Sequence, residues 1–219
     1  MHISATVQTW RNVLTKPGEP VFAEERAKPE ATLTTALIWI VGAAIVAAVL
    51  GLLRGLIFVN SGVMNQMISQ MKLPPDAAQQ MNTLLSSGMM GGMMGGASLA
   101  SIIFLPLFFL IGAGILHLIA TLLGGRGNFG NYAYLRASFE APILLINAVL
   151  SFIPVAGGCL TIILSIYSIV LVYFATKVEY NLTSGKAIAV VLIPILFVIL
   201  LLACVVFGMI GLIMSLNNR

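Results

Sequence analysis

The sequence predicts an all-α, polytopic helical membrane protein with about five spans, the third short or re-entrant. Three observations carry this. Of 219 residues, 59% are hydrophobic and 8% are charged, against about 25% charged in a soluble domain. The mean hydropathy is +1.05; so few charges cannot cover a water-facing surface, and lipid must be the solvent for most of the chain. Long apolar runs alternate with short polar links, the pattern of helices that satisfy their own backbone inside a bilayer.

Residues 1–31 are expected to form a cytoplasmic tail. Ile3, Val7, Trp10 and Leu14 recur at helical spacing, which predicts a short interfacial helix with Trp10 at the water–lipid boundary. Pro17 and Pro20 would stop it, leaving Phe22 in an extended link. The tail has no apolar core of the signal-peptide kind and mixes Glu19, Glu24, Glu25 and Glu30 with Arg11, Lys16, Arg26 and Lys28. No cleavable signal is expected, and the first span would direct its own insertion.

From residue 32 onward the chain reads as one membrane domain. The first span, about 36–59, would make a helix of roughly 36 Å. Ala43, Ala47, Gly51 and Gly55 recur every four residues along it, a stripe on which another helix can approach closely. Arg54 lies near its far end and can snorkel to that surface.

Residues 60–96 read as a Met-rich exoplasmic loop. It ends in Met89-Met90-Gly-Gly-Met93-Met94-Gly-Gly. Thioether sulfur suits Cu(I), so these methionines are the metal candidates. A flexible partner-facing or lipid-facing patch is the competing reading, because methionine adapts to irregular surfaces. The loop holds no His or Cys to tighten a copper site.

The second span, about 97–123, contains Pro106 and ends near His117, which is read as hydrogen-bonded structure before proton relay. A cytoplasmic loop, 124–141, follows. Gly125-Arg-Gly127-Asn-Phe129-Gly130 matches the dinucleotide fingerprint by letter. That motif requires a preceding strand, and here a membrane helix precedes it, so the glycines are read as a tight turn. Beyond it the chain turns helical again, with Arg136 and Glu140 on one face.

The third span, Pro142 to Ile153, covers roughly 18 Å, short of the ~30 Å core. It either borrows length from the helix before it or re-enters on the same side. Spans of about 159–176 and 187–216 complete the set. Cys159 and Cys204 fall in apolar runs as small packing residues, without metal-type spacing.

Lys and Arg set the orientation. Arg11, Lys16, Arg26, Lys28, Arg126, Arg136, Lys177 and Lys186 fall on one side of a five-span topology; Arg54, Lys72 and Arg219 fall toward the other. The positive-inside rule then places the N-terminus in the cytoplasm and the C-terminus outside. A net charge of +4 without a basic run excludes a nucleic-acid partner.

Three stretches resemble a Yip-type domain, the Ypt/Rab-interacting membrane family. They are Trp10…Val13-Leu14…Pro17…Phe22, then Gly125-x-Gly127-x-Phe129 with a polar helix and Pro142, then Tyr173…Lys177-Val-Glu179…Leu182-Thr-Ser-Gly-Lys186-Ala187. The resemblance covers about Trp10 to the end. It implies five spans, a cytoplasmic N-terminus and no known catalysis. Eukaryotic members are linked to Rab GTPases and vesicle traffic, often in hetero-oligomers. This chain lacks their long acidic N-terminal region and their Asp-Leu-Tyr-Gly-Pro motif, so it looks like the prokaryotic branch. Those departures weigh against a Rab GTPase and favour a bacterial inner membrane.

Chemistry is sparsely equipped. The chain has two His and seven acids, no metalloprotease motif and no serine elbow. The expected role is therefore non-catalytic, with no cofactor: a membrane scaffold or adaptor, or an accessory subunit of a larger complex. It would engage lipids and other membrane proteins in a homo- or hetero-oligomer. Residues expected to carry partner contacts or structure are Trp10, Phe22, Gly51, Gly55, Gly127, Phe129, Arg136, Glu140, Pro142 and Lys186. The alternatives are a small-solute or ion transporter and a Cu(I)-handling protein.

Overall fold

The computed structural model describes residues 3–60, 74, 76–77, 79–80, 83, 89–153 and 155–217. Among them are seven α-helices and no strand: α1 (Ile3–Thr15), α2 (Glu19–Arg26), α3 (Leu33–Asn60), α4 (Met89–Leu122), α5 (Phe129–Leu150), α6 (Ala156–Tyr180) and α7 (Ser184–Asn217). The last five are long and apolar enough to cross a membrane.

Helix α5 is the centre of the bundle. Half of its most apolar window is buried, against 11% for α6 and for α7. Helix α3 packs chiefly on α5 and α4, and α6 packs on α5, α2 and α7. The outer faces carry Ile103, Phe108, Leu122, Phe197 and Phe207, all well exposed, as lipid-facing residues should be.

The stripe of small residues on α3 is used as its spacing suggests. Ala43 and Gly55 are buried, and a methyl on Gly51 would stand 2.9 Å from Ser98 Oγ of α4. Gly95 of α4 likewise admits Leu52. The two helices approach closely because no side chain intervenes.

Three boundaries differ from the sequence reading. The third span takes the longer of its two expected forms, borrowing length from the helix before it: α5 runs unbroken from Phe129 through Pro142 to Leu150, roughly 33 Å of helix, long and apolar enough to cross a membrane. Its polar first half, expected as a helix within the cytoplasmic loop 124–141, is continuous with the apolar half. It is helical because Arg136 and Glu140 neutralise each other and Ser138 bonds back to the Leu135 carbonyl. A proline inside the helix costs the Ser138 carbonyl its donor without ending the helix.

Phe22 is not in an extended link. Pro20 occupies the first turn of α2, where its missing N–H is no loss, so it starts a helix where it was expected to prevent one. The face of α1 is also turned. Thr9 and Val13 point inward, while Val7 is exposed, because Thr9 has a buried partner in α2.

The loop expected through residue 96 ends earlier, since α4 begins at Met89. Methionine favours helix and the apolar run beyond carries the Gly pairs with it. Most of the rest of that loop, and the side chains of Met89, Met90, Met93 and Met94, lie outside the described residues.

Tight turns join the last helices. Gly124 has φ +89°; with Gly124 N–H on the Thr121 carbonyl and Gly125 N–H on the Ala120 carbonyl, it closes α4 in a Schellman motif. Asn181 ends α6 in the left-handed conformation that asparagine tolerates. At the opposite end, Gly157 lies so close to the Leu150 carbonyl that no side chain fits, which fixes the α5–α6 hairpin.

Candidate functional site

The polar residues converge on one end of the bundle, where α1 and α2 fold back over α5 and α6. Two buried glutamates fasten them there. Glu25 of α2 is 1% exposed. It accepts hydrogen bonds from Thr9 of α1 (3.0 Å), Lys28 (2.7 Å) and the Tyr134 hydroxyl of α5 (3.2 Å). One carboxylate thus ties three helices together.

Glu179, near the end of α6, is 2% exposed. Its Oε1 accepts the Asn128 backbone N–H at 2.7 Å. Its Oε2 lies 3.5 Å from Arg26 Nε of α2, and Arg26 also donates to the Val178 carbonyl at 2.8 Å. Asn128 in turn caps α5 through Gly130 N–H and Asn131 N–H, the usual work of an N-cap asparagine. At the rim, Lys177 bridges Glu19 and Ser184.

Aromatic rings fill the space between these ties. Phe22 is fully buried and packs against Phe139 of α5 and Phe174 of α6, both with ring centres at 6.2 Å. Trp10 meets Trp39 of α3 edge-on, and Trp39 leans on Tyr134. The Tyr167 hydroxyl donates to the Leu14 carbonyl at 2.7 Å.

The glycine loop is pressed under Tyr180. The Tyr180 hydroxyl and His117 Nδ1 are hydrogen-bonded at 2.5 Å, so His117 is tied into structure. Phe129 stacks edge-on against the His117 ring, and Arg126 N–H bonds to the Tyr180 carbonyl. A methyl on Gly127 would lie 2.6 Å from Tyr180 Cδ1 and 2.8 Å from the Glu179 carbonyl. These glycines permit close approach of backbone to a tyrosine. Lys186 closes the corner by donating to the Leu123 carbonyl at 2.8 Å, a cation on a helix C-terminus.

Gly127→Ala is therefore expected to lower stability by about 1–3 kcal/mol, seen as a lower thermal midpoint in detergent. Gly114→Ala is the comparison: nothing lies within 4 Å of its added methyl, and alanine is the better helix former. An equal response of the two would mean that Tyr180 does not press on the loop.

The family model for the Yip1 domain matches residues 11–206. The chain belongs to the Yip1 family. It is an integral membrane protein of a family not known as enzymatic. No curated protein and no solved structure matches it.

Within this Yip1 domain the residues singled out from sequence fall into four places. Trp10 and Phe22 join the tail to the bundle; Gly127, Phe129 and Lys186 form the corner around Tyr180; Arg136, Glu140 and Pro142 sit inside α5, with Arg136 buried and bonded to Glu140 through Nε at 2.7 Å. Gly51 lies apart, on the α3–α4 contact, with Gly55 buried one turn further along α3. Sequence reasoning missed Thr9, Glu25, Trp39, Tyr134 and Tyr180. Glu25 had one local signal: Lys28 follows it by one helical turn. Among the described residues no group of three His, Cys, Asp or Glu could hold a metal ion.

Proposed function

We propose that this Yip1-family chain is a non-catalytic membrane scaffold or adaptor, working through the end of the bundle that carries the folded tail. The observation behind the reading is how that end is built. Its buried acids are committed to fixed structural partners, and they hold α1 and α2 in place as a ready-made surface. A pre-ordered surface loses little entropy when a partner docks. The distribution of Lys and Arg supports a cytoplasmic location for it.

An open groove of about 540 Å³ lies on this surface between α2 and the end of α6, lined by Pro20, Ala23, Arg26, Lys177, Val178 and Leu182. It offers apolar and charged groups side by side, as a peptide segment of a partner protein requires. Ala23 is exposed on its wall, so its replacement leaves the core untouched.

The experiment is gentle purification of tagged protein from its native membrane, with mass spectrometry of what accompanies it. The scaffold reading expects a stoichiometric partner whose recovery falls roughly tenfold in Ala23→Arg, with the thermal midpoint unchanged. Arrival alone, or a partner retained equally by the variant, would remove this surface from the function.

A further inference from the structure

A second cavity lies deeper, inside the membrane-spanning part. It measures about 240 Å³ and is bounded by α4, α5, α6 and α7. Its walls are mainly apolar, with Ile115, Leu116, Ile169, Val172 and Ile195 among them, and Arg136 is the one charged residue lining it. Ile115 and Ile169 are themselves exposed to the outside, so the cavity opens toward lipid.

Arg136 is only partly satisfied there. Its Nε and Nη2 are bonded to Glu140 Oε1. Its guanidinium carbon sits 5.5 Å over the Phe109 ring. Nη1 is buried and has no hydrogen-bond partner among the described residues. It points toward Gly112, another lining residue: a methyl there would be 3.6 Å from Nη1. A buried N–H without an acceptor is costly, more so on a charged group.

The chemistry of the missing acceptor follows from charge. Arg136 and Glu140 already neutralise each other, so a second anion would share one cation with Glu140 in a low-dielectric setting. A neutral carbonyl oxygen satisfies the N–H without that repulsion. Depth agrees. Arg136 stands about 10 Å along α5 from its start at Phe129, near the boundary between headgroups and acyl chains. We propose that the cavity is an intramembrane site for one glycerolipid acyl chain, whose ester carbonyl accepts the free N–H of Arg136. The apolar walls take the first methylenes of the chain, and the headgroup stays outside.

This site is separate from the partner-docking surface and stands or falls without it. The test is lipid retention by the full-length protein in native mass spectrometry. The probes are a diacyl phosphatidylcholine, its dialkyl ether analogue, which lacks the carbonyls, and a diacyl phosphatidylglycerol. The expected result is about ten- to hundredfold preferential retention of ester over ether lipid, the scale of one charge-assisted hydrogen bond. The two ester lipids should be retained alike. Ile169→Trp, which obstructs the cavity from an exposed position, and Arg136→Lys, which keeps a cation for Glu140 but removes the fork, should each abolish the preference. If the lysine variant does not fold, the tryptophan variant alone decides. Equal retention of ester and ether, a preference that survives in the folded variants, or selection for the anionic headgroup would overturn the proposal.

Discussion

Glu25→Ala is expected to detach the N-terminal helices from the bundle. The change leaves the Tyr134 hydroxyl, the Thr9 hydroxyl and the Lys28 ammonium without their shared acceptor. Tyr134 and Thr9 are both buried, so neither recovers water in compensation. Losing one member of such a network costs about 3–5 kcal/mol. That corresponds to roughly a hundredfold or greater rise in the detached population. Trypsin reads it directly, because Arg11, Lys16, Arg26 and Lys28 all lie in the segment released. Lys28→Met is the contrasting variant. Its side chain is one-third exposed, the carboxylate keeps two other donors, and the expected loss is about 1 kcal/mol or less. Matching cleavage rates for the two variants would show that Glu25 is not the tie described here.

Glu179→Ala should weaken the same end from the other side, by about 3 kcal/mol. It removes the acceptor for Asn128 N–H and the carboxylate facing Arg26. Arg26 is more than one-third exposed and retains the Val178 carbonyl, so the ion pair is the smaller part of the loss. The larger part is the Asn128 turn, which positions the cap of α5 at the core of the fold. Glu179→Gln keeps an oxygen for Asn128 N–H and should lose only about 1 kcal/mol. A thermal midpoint that falls equally in Ala and Gln would reverse that assignment and give Arg26 the larger share.

These two glutamates also show where sequence reading stopped. The five spans were legible because apolar runs of bilayer length have few other uses. The close helix approach at Gly51 was legible because its four-residue spacing is local. The Arg136–Glu140 pair was readable for the same reason, one turn apart on one helix. Its burial was not readable: the polar letters of 131–140 read as a helix at the membrane surface until the partners packed around them are known. Glu25 meets Tyr134, and Arg26 meets Val178 and Glu179, across more than a hundred residues of chain. No window of sequence contains such a pair. Pro20 misled in a different way, since a proline stops one helix or starts the next with the same φ. The letters of Gly125–Gly130 imitate a nucleotide motif, and only Tyr180, far along the chain, explains why the glycines are there.

The tail is packed as a fixed part of the membrane domain, through Glu25 and the rings around Phe22. Hydrogen–deuterium exchange of the full-length protein in lipid nanodiscs tests it most directly. Amides of α1 and α2 should be protected to a degree comparable with the first half of α5, and Glu25→Ala should release them while α3 to α7 stay protected. Exchange of residues 3–26 at the rate of an unstructured chain, in the unmodified protein with an intact bundle, would contradict it.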